Sequence, residues 1–211
     1  MKKIYLLLVA LLALDAGAAR MDFDENWMFS LNAPENSQDP ALKDSDWRVL
    51  NLPHDWSVEG KFDIHNPTTF RCGYLPAGIG WYRKTIEVPD DWKGKHVEIV
   101  FDGVFRNSTV WANGQKLGAR PYGWISFAYD ISEIVNASDS ITFAVEVDNE
   151  QQSAARWYTG SGIYAHTWID VKHKIHVPRD GIYVRTQGDD VELDVEVRNT
   201  LDVIQPVDVE V

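Results

Sequence analysis

The chain has 211 residues, of which 45% are hydrophobic and 12% aromatic, enough apolar material for one sizeable buried core. Its formal net charge is −12 at pH 7 and its acidic residues are dispersed, which argues against binding to a nucleic-acid backbone, since that needs a basic patch. Cys72 is the only cysteine, so an internal disulfide is excluded.

The first 18 residues have the pattern of a secretory signal peptide. Lys2 and Lys3 precede an apolar run over residues 4–14, and the small residues 16–18 offer a cleavage site. The apolar run is too short to span a membrane as a helix, and no cysteine directly follows it to accept a lipid. We therefore expect an exported protein, periplasmic or extracellular, that has no membrane partner.

Residues 22–56 have an irregular pattern that predicts loops and two short strands, near residues 27–29 and 49–52. His54 and Asp55 are adjacent, and neighbouring side chains of an extended segment point to opposite sides, so they are not expected to form a catalytic pair. We expect them to hold a loop by hydrogen bonds. Residues 57–80 are expected to form a long polar loop.

From residue 81 the pattern becomes regular. Alternating apolar residues predict strands at 81–88, 97–101, 104–112, 115–117, 124–129, 141–147 and 164–171. Asn113-Gly114 predicts a tight hairpin, and residues 130–135 predict one helical turn with Asp130 or Ser132 as its N-cap. Short strands at regular spacing with one short helix predict an all-β sandwich of the jelly-roll type over residues 22–174.

The pattern changes again towards the end of the chain. Runs at residues 182–184, 191–197 and 207–211 predict three further strands. Three strands are too few for a complete immunoglobulin-like sandwich, which takes roughly 100 residues. We therefore expect residues 175–211 to be the start of a second β-sandwich domain, within which the chain is truncated.

A nine-residue stretch at 156–164, RWYTGSGIY, joins cationic and aromatic side chains to a turn with two glycines. A pyranose ring can lie on an aromatic face, while its hydroxyl groups need directional partners, so Arg156, Trp157 and Tyr158 are candidate substrate-binding residues. Gly160 and Gly162 allow backbone conformations that residues with a Cβ resist. The residues alone leave open the alternative that the Trp–Tyr pair closes the core of the sandwich.

Other chemistries have no motif in this sequence. It contains no zinc-ligand spacing, phosphate loop, dinucleotide fingerprint or nucleophile elbow. We therefore expect no metal site and no cofactor.

Five motifs in register carry a resemblance to a known family. They are LPHDW at 52–56, GYLPAGIGWYRK at 73–84, FDGVFRNSTVWANG at 101–114, PYGWISF at 121–127 and RWYTGSGIY at 156–164. Over residues 22–175 the chain resembles the N-terminal sugar-binding domain of glycoside hydrolase family 2, and most of all the exported β-galactosidases of Bacteroides-type bacteria. The strands from Ile175 resemble the start of the immunoglobulin-like domain that follows in this family.

The resemblance implies a larger retaining enzyme that hydrolyses terminal β-galactosides in carbohydrate metabolism. In it, a (β/α)8 barrel carries two catalytic glutamates about 5 Å apart. A barrel takes roughly 250 residues, so we expect no catalytic residue in this chain and no activity from it alone. The implied partners are a β-galactoside, or another plant or host glycan, and the catalytic barrel.

The resemblance also bears on the candidate site. In the family, the loop with the RWY motif reaches towards the sugar site of the barrel, which makes Arg156 the candidate for a sugar hydroxyl contact, with Trp157 and Tyr158 shaping the wall. The family usually has an arginine directly after the SGIY segment, and this chain has Ala165 there.

Two other functions remain open at this stage. A free-standing carbohydrate-binding module would use the same aromatic surface without catalysis. A small glycosidase could use Asp148 and Glu150 as its carboxylates, but only if a strand persists through both and places them on one face.

Overall fold

The computed structural model describes residues 18–150 and 158–208. Its regular structure consists mainly of strands, which form two sheets and two smaller strand pairs. The strands are β1 (Ala19–Asp22), β2 (Trp27–Leu31), β3 (Arg48–Leu50), β4 (Gly78–Glu87), β5 (His96–Phe101), β6 (Ser108–Ala112), β7 (Gln115–Arg120), β8 (Phe127–Asp130), β9 (Ser140–Asn149), β10 (Thr167–Lys172), β11 (Ile175–His176), β12 (Ile182–Gln187), β13 (Asp190–Val195) and β14 (Arg198–Asn199). The α-helices are α1 (Trp56–Glu59) and α2 (Ser132–Ala137), and 3₁₀ turns lie at Phe70–Cys72 and Asp90–Trp92.

The larger sheet has six antiparallel strands in the order β3-β2-β4-β9-β6-β7. At its centre, β4 and β9 pair along their full ten residues, from Gly78 opposite Asn149 to Glu87 opposite Ser140. Alternate residues of β9 are apolar and fully buried, as the period of two along a strand requires. This pairing places Asn149 at the end of the sheet where the chain leaves towards residue 156.

The smaller sheet has four antiparallel strands in the order β1-β10-β5-β8. The apolar faces of the two sheets enclose one core, to which both contribute aromatic and β-branched side chains. Its fully buried members include Trp27, Tyr82, Val97, Ile99, Phe101, Phe143, Val145 and Ile169. The predicted all-β sandwich is therefore confirmed.

The hairpin predicted at Asn113-Gly114 is present between β6 and β7. Both turn residues have positive φ, 48° for Asn113 and 76° for Gly114, as a type I′ turn requires. The Asn113 side chain also accepts a hydrogen bond from the backbone N–H of Thr142, at 2.8 Å, which ties the turn to β9. The local sequence of the turn and its tertiary contact with β9 therefore favour the same conformation.

The expectation of a structureless loop over residues 57–80 was wrong in part. The helix α1 and the 3₁₀ turn at Phe70–Cys72 lie within it, and β4 begins at Gly78 rather than at residue 81. The Asp55 side chain caps α1 by accepting from the backbone N–H of Ser57, at 2.9 Å. A helix of one turn is too short to show the apolar repeat of a helix, so the sequence pattern could not predict it.

The region after β10 contains two small strand pairs. β11 pairs with β14, and β12 pairs with β13 around Gly188, which has a φ of 63°. Of the strand expected at 207–211, residues 207 and 208 are not in a strand and the others lie outside the described residues. The boundary at residue 175 and the immunoglobulin-like domain stay predictions. Within the described residues, no helix is long and apolar enough to cross a membrane.

Arg83, on the outer face of β4, is only 1% exposed. Its Nε donates to Asp44 at 2.8 Å, and its Nη1 donates to the backbone oxygens of Ser37 and Asp39. The segment between β2 and β3 is thereby fastened across the outer face of the larger sheet. A buried guanidinium needs such acceptors, because an unpaired buried charge is strongly unfavourable.

We expect the substitution Arg83→Met to lower the free energy of unfolding by about 3–5 kcal/mol, because it leaves a carboxylate and two carbonyl groups without their donor. Urea unfolding measures this change. The matched control is Arg185→Met, which removes an exposed ion pair with Glu192 and should cost under about 1 kcal/mol. Equal losses in the two variants would contradict a clamping role for Arg83.

Candidate functional site

Of the three candidate binding residues, Arg156 and Trp157 lie outside the described residues, and Tyr158 lies within them. Tyr158 is 37% exposed, and its hydroxyl donates to Oδ2 of Asp55 at 2.5 Å. Burial raises the pKa of Tyr158, and the hydrogen bond to Asp55 raises it further. Tyr158 is therefore a neutral hydrogen-bond donor that is tied to the scaffold while part of its ring faces solvent.

The residues 158–164, here called the return segment, run beside residues 54–56. The backbone N–H of His54 donates to the oxygen of Ile163 at 2.8 Å, and that of Trp56 donates to the oxygen of Ser161 at 3.1 Å. On its other side, Gly162 exchanges two backbone hydrogen bonds with Phe105, at 2.8 and 2.9 Å. The return segment is thus fixed on both sides by main-chain bonds.

The two glycines of the motif are required by this packing. Gly160 has a φ of 85° and Gly162 a φ of 129°, which residues with a Cβ rarely adopt. A Cβ at Gly162 would lie 2.4 Å from the Tyr82 hydroxyl and 2.6 Å from the backbone oxygen of His54. The sequence-based prediction for these glycines is confirmed.

A group of buried polar side chains joins the return segment to the scaffold. The amide nitrogen of Asn149 donates to the backbone oxygen of Gly160 at 2.9 Å and to the Ser161 hydroxyl at 2.6 Å. The Ser57 hydroxyl lies 2.6 Å from the Ser161 hydroxyl and 2.5 Å from the backbone oxygen of Pro76. Asn149, Ser57 and Ser161 are fully buried. Their mutual hydrogen bonds offset the cost of removing them from water.

His54 holds the same segment through its ring. Its Nε2 lies 2.8 Å from a guanidinium nitrogen of Arg48 and 3.3 Å from Oε1 of Glu59. Nδ1 lies 2.7 Å from the hydroxyl of Tyr82, which is fully buried. The expectation that His54 and Asp55 hold a loop by hydrogen bonds is confirmed.

Sequence reasoning missed Asn149, Ser57, Ser161 and Tyr82 as parts of this site. Ser57 and Ser161 are 104 positions apart in the chain, and neither stands in a motif that predicts the other. The available signals were weak: a serine between two glycines, and an asparagine at the end of an alternating run. Only the sheet pairing brings these residues together.

Exposed apolar side chains lie in the loop between α1 and β4. Phe62 is 75% exposed, and Ile64 and Phe70 are similarly exposed. Cys72, at the end of the 3₁₀ turn in this loop, lies near Thr159, so the loop lies beside the start of the return segment. Burial raises the pKa of the Cys72 thiol, which keeps it protonated. This end of the sandwich therefore combines apolar surface with the anchored Tyr158.

The hypothesis of a small glycosidase is not supported. β9 ends at Asn149, so Asp148 and Glu150 do not share one face of a persisting strand. The Asp148 carboxylate instead accepts from the backbone N–H of Glu150, at 3.1 Å. Within residues 18–150 and 158–208, no group of three His, Cys, Asp or Glu side chains is arranged to hold a metal ion.

Comparison with known proteins gives a family match. The profile of the sugar binding domain of the family 2 glycosyl hydrolases matches residues 21–174. The chain therefore belongs to glycoside hydrolase family 2, as the five motifs indicated.

Individual relatives agree with the family match. The β-galactosidase BoGH2A of Bacteroides ovatus is 46% identical over 171 residues, which are 81% of this chain and 20% of that protein. A candidate β-glucuronidase of Formosa agariphila is 39% identical over 189 residues, which are 87% of this chain and 18% of that protein. The crystal structure of a β-glycosidase from Bacteroides vulgatus matches with a TM-score of 0.82 and 41% identity, over 88% of this chain and 25% of that one. The chain spans about a fifth of the length of these curated relatives.

The pH dependence of stability tests the role of His54. Burial lowers the pKa of His54 below the 6.5 of a free histidine, so the folded state binds fewer protons than the unfolded state. The stability that neutral His54 contributes is complete above that value and is lost as the pH falls through the lowered pKa. We therefore expect the Tm of the wild type to fall more between pH 7 and pH 5 than the Tm of His54→Gln.

The matched control is His166→Gln. His166 is largely exposed, and its hydrogen bond to Asp24 raises its pKa, so protonating His166 favours the folded state. Removing it should make the loss of Tm with acid steeper, the opposite of the His54 result. The same slope in both variants would contradict the proposed protonation states.

Proposed function

We propose that this chain is the sugar-binding N-terminal part of a retaining glycoside hydrolase of the β-galactosidase type, which hydrolyses terminal β-galactosides. The observation that carries the proposal is the family match over residues 21–174 together with 46% identity to a β-galactosidase. The galactoside is the substrate we favour. The relative from Formosa makes a β-glucuronide the alternative that an experiment must separate from it.

In this proposal the chain binds and orients the sugar, and it does not carry out the bond cleavage. Arg156 donates hydrogen bonds to sugar hydroxyl groups, and Trp157 and Tyr158 form the wall against which the ring lies. The two carboxylates of a retaining glycosidase, one the nucleophile and the other the acid and base, belong to the barrel. Contacts from the RWY motif accelerate hydrolysis only as far as they are stronger in the transition state than in the bound substrate.

We also propose that the protein is exported to the periplasm or beyond the cell. The support is the signal-peptide pattern of the first 18 residues, of which residues 1–17 lie outside the described part of the chain. The strand β1 begins at Ala19, directly after the predicted signal peptide. A plant or host glycan outside the cytoplasm is then the source of the galactoside.

A chimaera tests the sugar contact. Residues 21–174 of this chain replace the matching segment of the Bacteroides ovatus enzyme, and hydrolysis of an aryl β-galactoside is measured. We expect the chimaera to be active and Arg156→Ala in it to lower kcat/KM about 10- to 100-fold, the usual effect of losing a charged hydrogen-bond donor.

The control for the chimaera is Arg120→Ala, which removes an exposed arginine at the end of β7 and should leave kcat/KM unchanged. An Arg156 variant as active as the Arg120 variant would contradict the proposed contact between Arg156 and the sugar.

The sugar specificity is tested on the intact protein that contains this chain, with aryl β-galactoside and aryl β-glucuronide as substrates. A higher kcat/KM on the glucuronide would contradict the galactoside proposal.

Calorimetry on the 211-residue chain separates the proposal from a free-standing carbohydrate-binding module. With galactose and lactose as probes and an aryl β-galactoside assay in the same preparation, we expect neither binding nor turnover, because the barrel completes the site. Binding without turnover would support the module instead. Turnover would contradict the assignment of the catalytic carboxylates to the barrel.

A further inference from the structure

We propose that the rings of His96 and His176 form a pH-sensitive joint between the sandwich and the segment that follows β10. That segment, residues 173–181, is here called the linker. Neutral His176 holds the linker against the sandwich, and protonated His176 releases it. His96 begins β5 of the smaller sheet and His176 ends β11, so the joint connects two separate parts of the fold. It is independent of the proposed function.

The two rings are stacked. Their centroids are 4.4 Å apart and their planes differ by 18°. Val97 and Ile99 belong to the core, so the alternation of a strand places His96 on the opposite, outer face of β5. His96 is nevertheless only 6% exposed. The ring of His176 therefore packs over it on the outer face of the smaller sheet.

The linker makes a second contact with the same sheet. Nη2 of Arg179 donates to the hydroxyl of Ser126, directly before β8, at 2.7 Å. Pro178, between the two contacts, is buried. The linker is also bonded to the strands that follow, since the backbone N–H of Thr200 donates to the oxygen of Lys174 at 2.9 Å. The joint therefore also positions β14 relative to the sandwich.

His176 fits this contact in its neutral form. Its Nδ1 lies 2.7 Å from the backbone oxygen of His173, which can only accept, so Nδ1 donates this hydrogen bond. Its Nε2 is buried and has no hydrogen-bond partner among the described residues. A neutral ring leaves a lone pair unpaired at Nε2. A protonated ring would place a charged N–H there without an acceptor, which is far less favourable.

The charges of the smaller sheet do not reverse this preference. Glu98 attracts a charge on His176, but its carboxylate already lies 3.4 Å from Nε2 of His96 and 2.8 Å from Nζ of Lys172. The contact with His96, together with that with Lys172, lowers the pKa of Glu98 to about 2, so it stays ionised wherever histidines titrate. Lys172 repels a charge on His176.

The other charged groups at the joint have partners of their own. The carboxylate of Asp130, on β8, lies 3.5 Å from Nδ1 of His96. Arg198 is opposite His176 in the pair of β11 and β14, and its guanidinium donates to Glu196 at 3.0 Å. Both groups are therefore engaged away from Nε2 of His176.

The direction of the pH dependence follows from these contacts. Burial lowers the pKa of His176 below the 6.5 of a free histidine; the hydrogen bond to His173 opposes this effect, and His96 and Lys172 add to it. A released His176 thus binds a proton at a higher pH than a packed one. The free energy that holds the linker to the sandwich is complete above pH 6.5 and is lost as the pH falls through the lowered pKa.

The test is an NMR titration of the 211-residue chain from about pH 8 to about pH 4.5, a range that spans histidine protonation. We expect the ring of His176 to titrate below 6.5. The nuclear Overhauser contact between the rings of His96 and His176 should disappear with the same midpoint, and the amide signals of the linker should shift with it. Amides of the hairpin at Asn113-Gly114, in the larger sheet, should not follow this midpoint.

Two variants separate the ring from its charge. His176→Phe keeps a flat ring on His96 that cannot be protonated, so its linker amides should show no transition. His176→Ala lacks the ring, so its linker amides at pH 8 should already have the positions that the wild type reaches in acid. The matched control is His173→Gln, which removes an exposed neighbouring histidine and should keep the transition.

Titration of His176 at or above pH 6.5, linker shifts that follow the ring of His96 instead, or a transition that persists in His176→Phe would each overturn the inference. Simultaneous shifts of the hairpin and the linker would also overturn it, because they would indicate unfolding of the sandwich rather than release of the linker. The wild-type titration decides this without a variant, so the test holds even where a substitution prevents folding.

Discussion

The carboxylate of Asp55 is the point at which the candidate site is joined to the fold. It receives three hydrogen bonds, from the backbone of Ser57, the backbone of Ser161 and the hydroxyl of Tyr158. A partly buried carboxylate is favourable only when its oxygens are paired, so the helix start and the return segment must meet at one place. The contact between α1 and the return segment also depends on Gly160, Gly162, Ser57, Ser161 and Asn149.

The sandwich supplies the rigid side of this arrangement. The ten-residue pairing of β4 and β9 fixes the position of Asn149, and β4 also carries Tyr82, whose hydroxyl lies 2.7 Å from Nδ1 of His54. Arg83, the next residue of β4, faces the opposite side and fastens the segment between β2 and β3. β4 therefore carries both Tyr82, which contacts the site from the core, and Arg83, which fastens the segment that covers the outer face.

This arrangement suits a domain that contributes to a binding site without performing the chemistry. Within the described residues, the hydrogen bonds of the return segment reach Tyr158, which directly follows Trp157 in the chain. The family match identifies this sandwich as a sugar binding domain of glycoside hydrolase family 2. Exposed apolar residues of the neighbouring loop, Phe62 and Ile64 among them, add surface at the same end.

The sequence by itself determined the all-β class, the hairpin at Asn113-Gly114, the strands of the two sheets other than β1 to within a few residues, and the family. Alternation, turn chemistry and contiguous motifs are local signals, and a local signal can be read without knowing what it packs against. It did not show α1, because a one-turn helix depends on its cap rather than on a period.

Only the tertiary structure decided how the site is held. Ser57 and Ser161 are 104 residues apart, and Tyr158 and Asp55 are 103 apart. No local pattern encodes such pairs, because they exist only once the sheets have paired and brought the two distant segments together. Burial makes the bond between Ser57 and Ser161 necessary, since an unpaired polar group in that position would destabilise the fold.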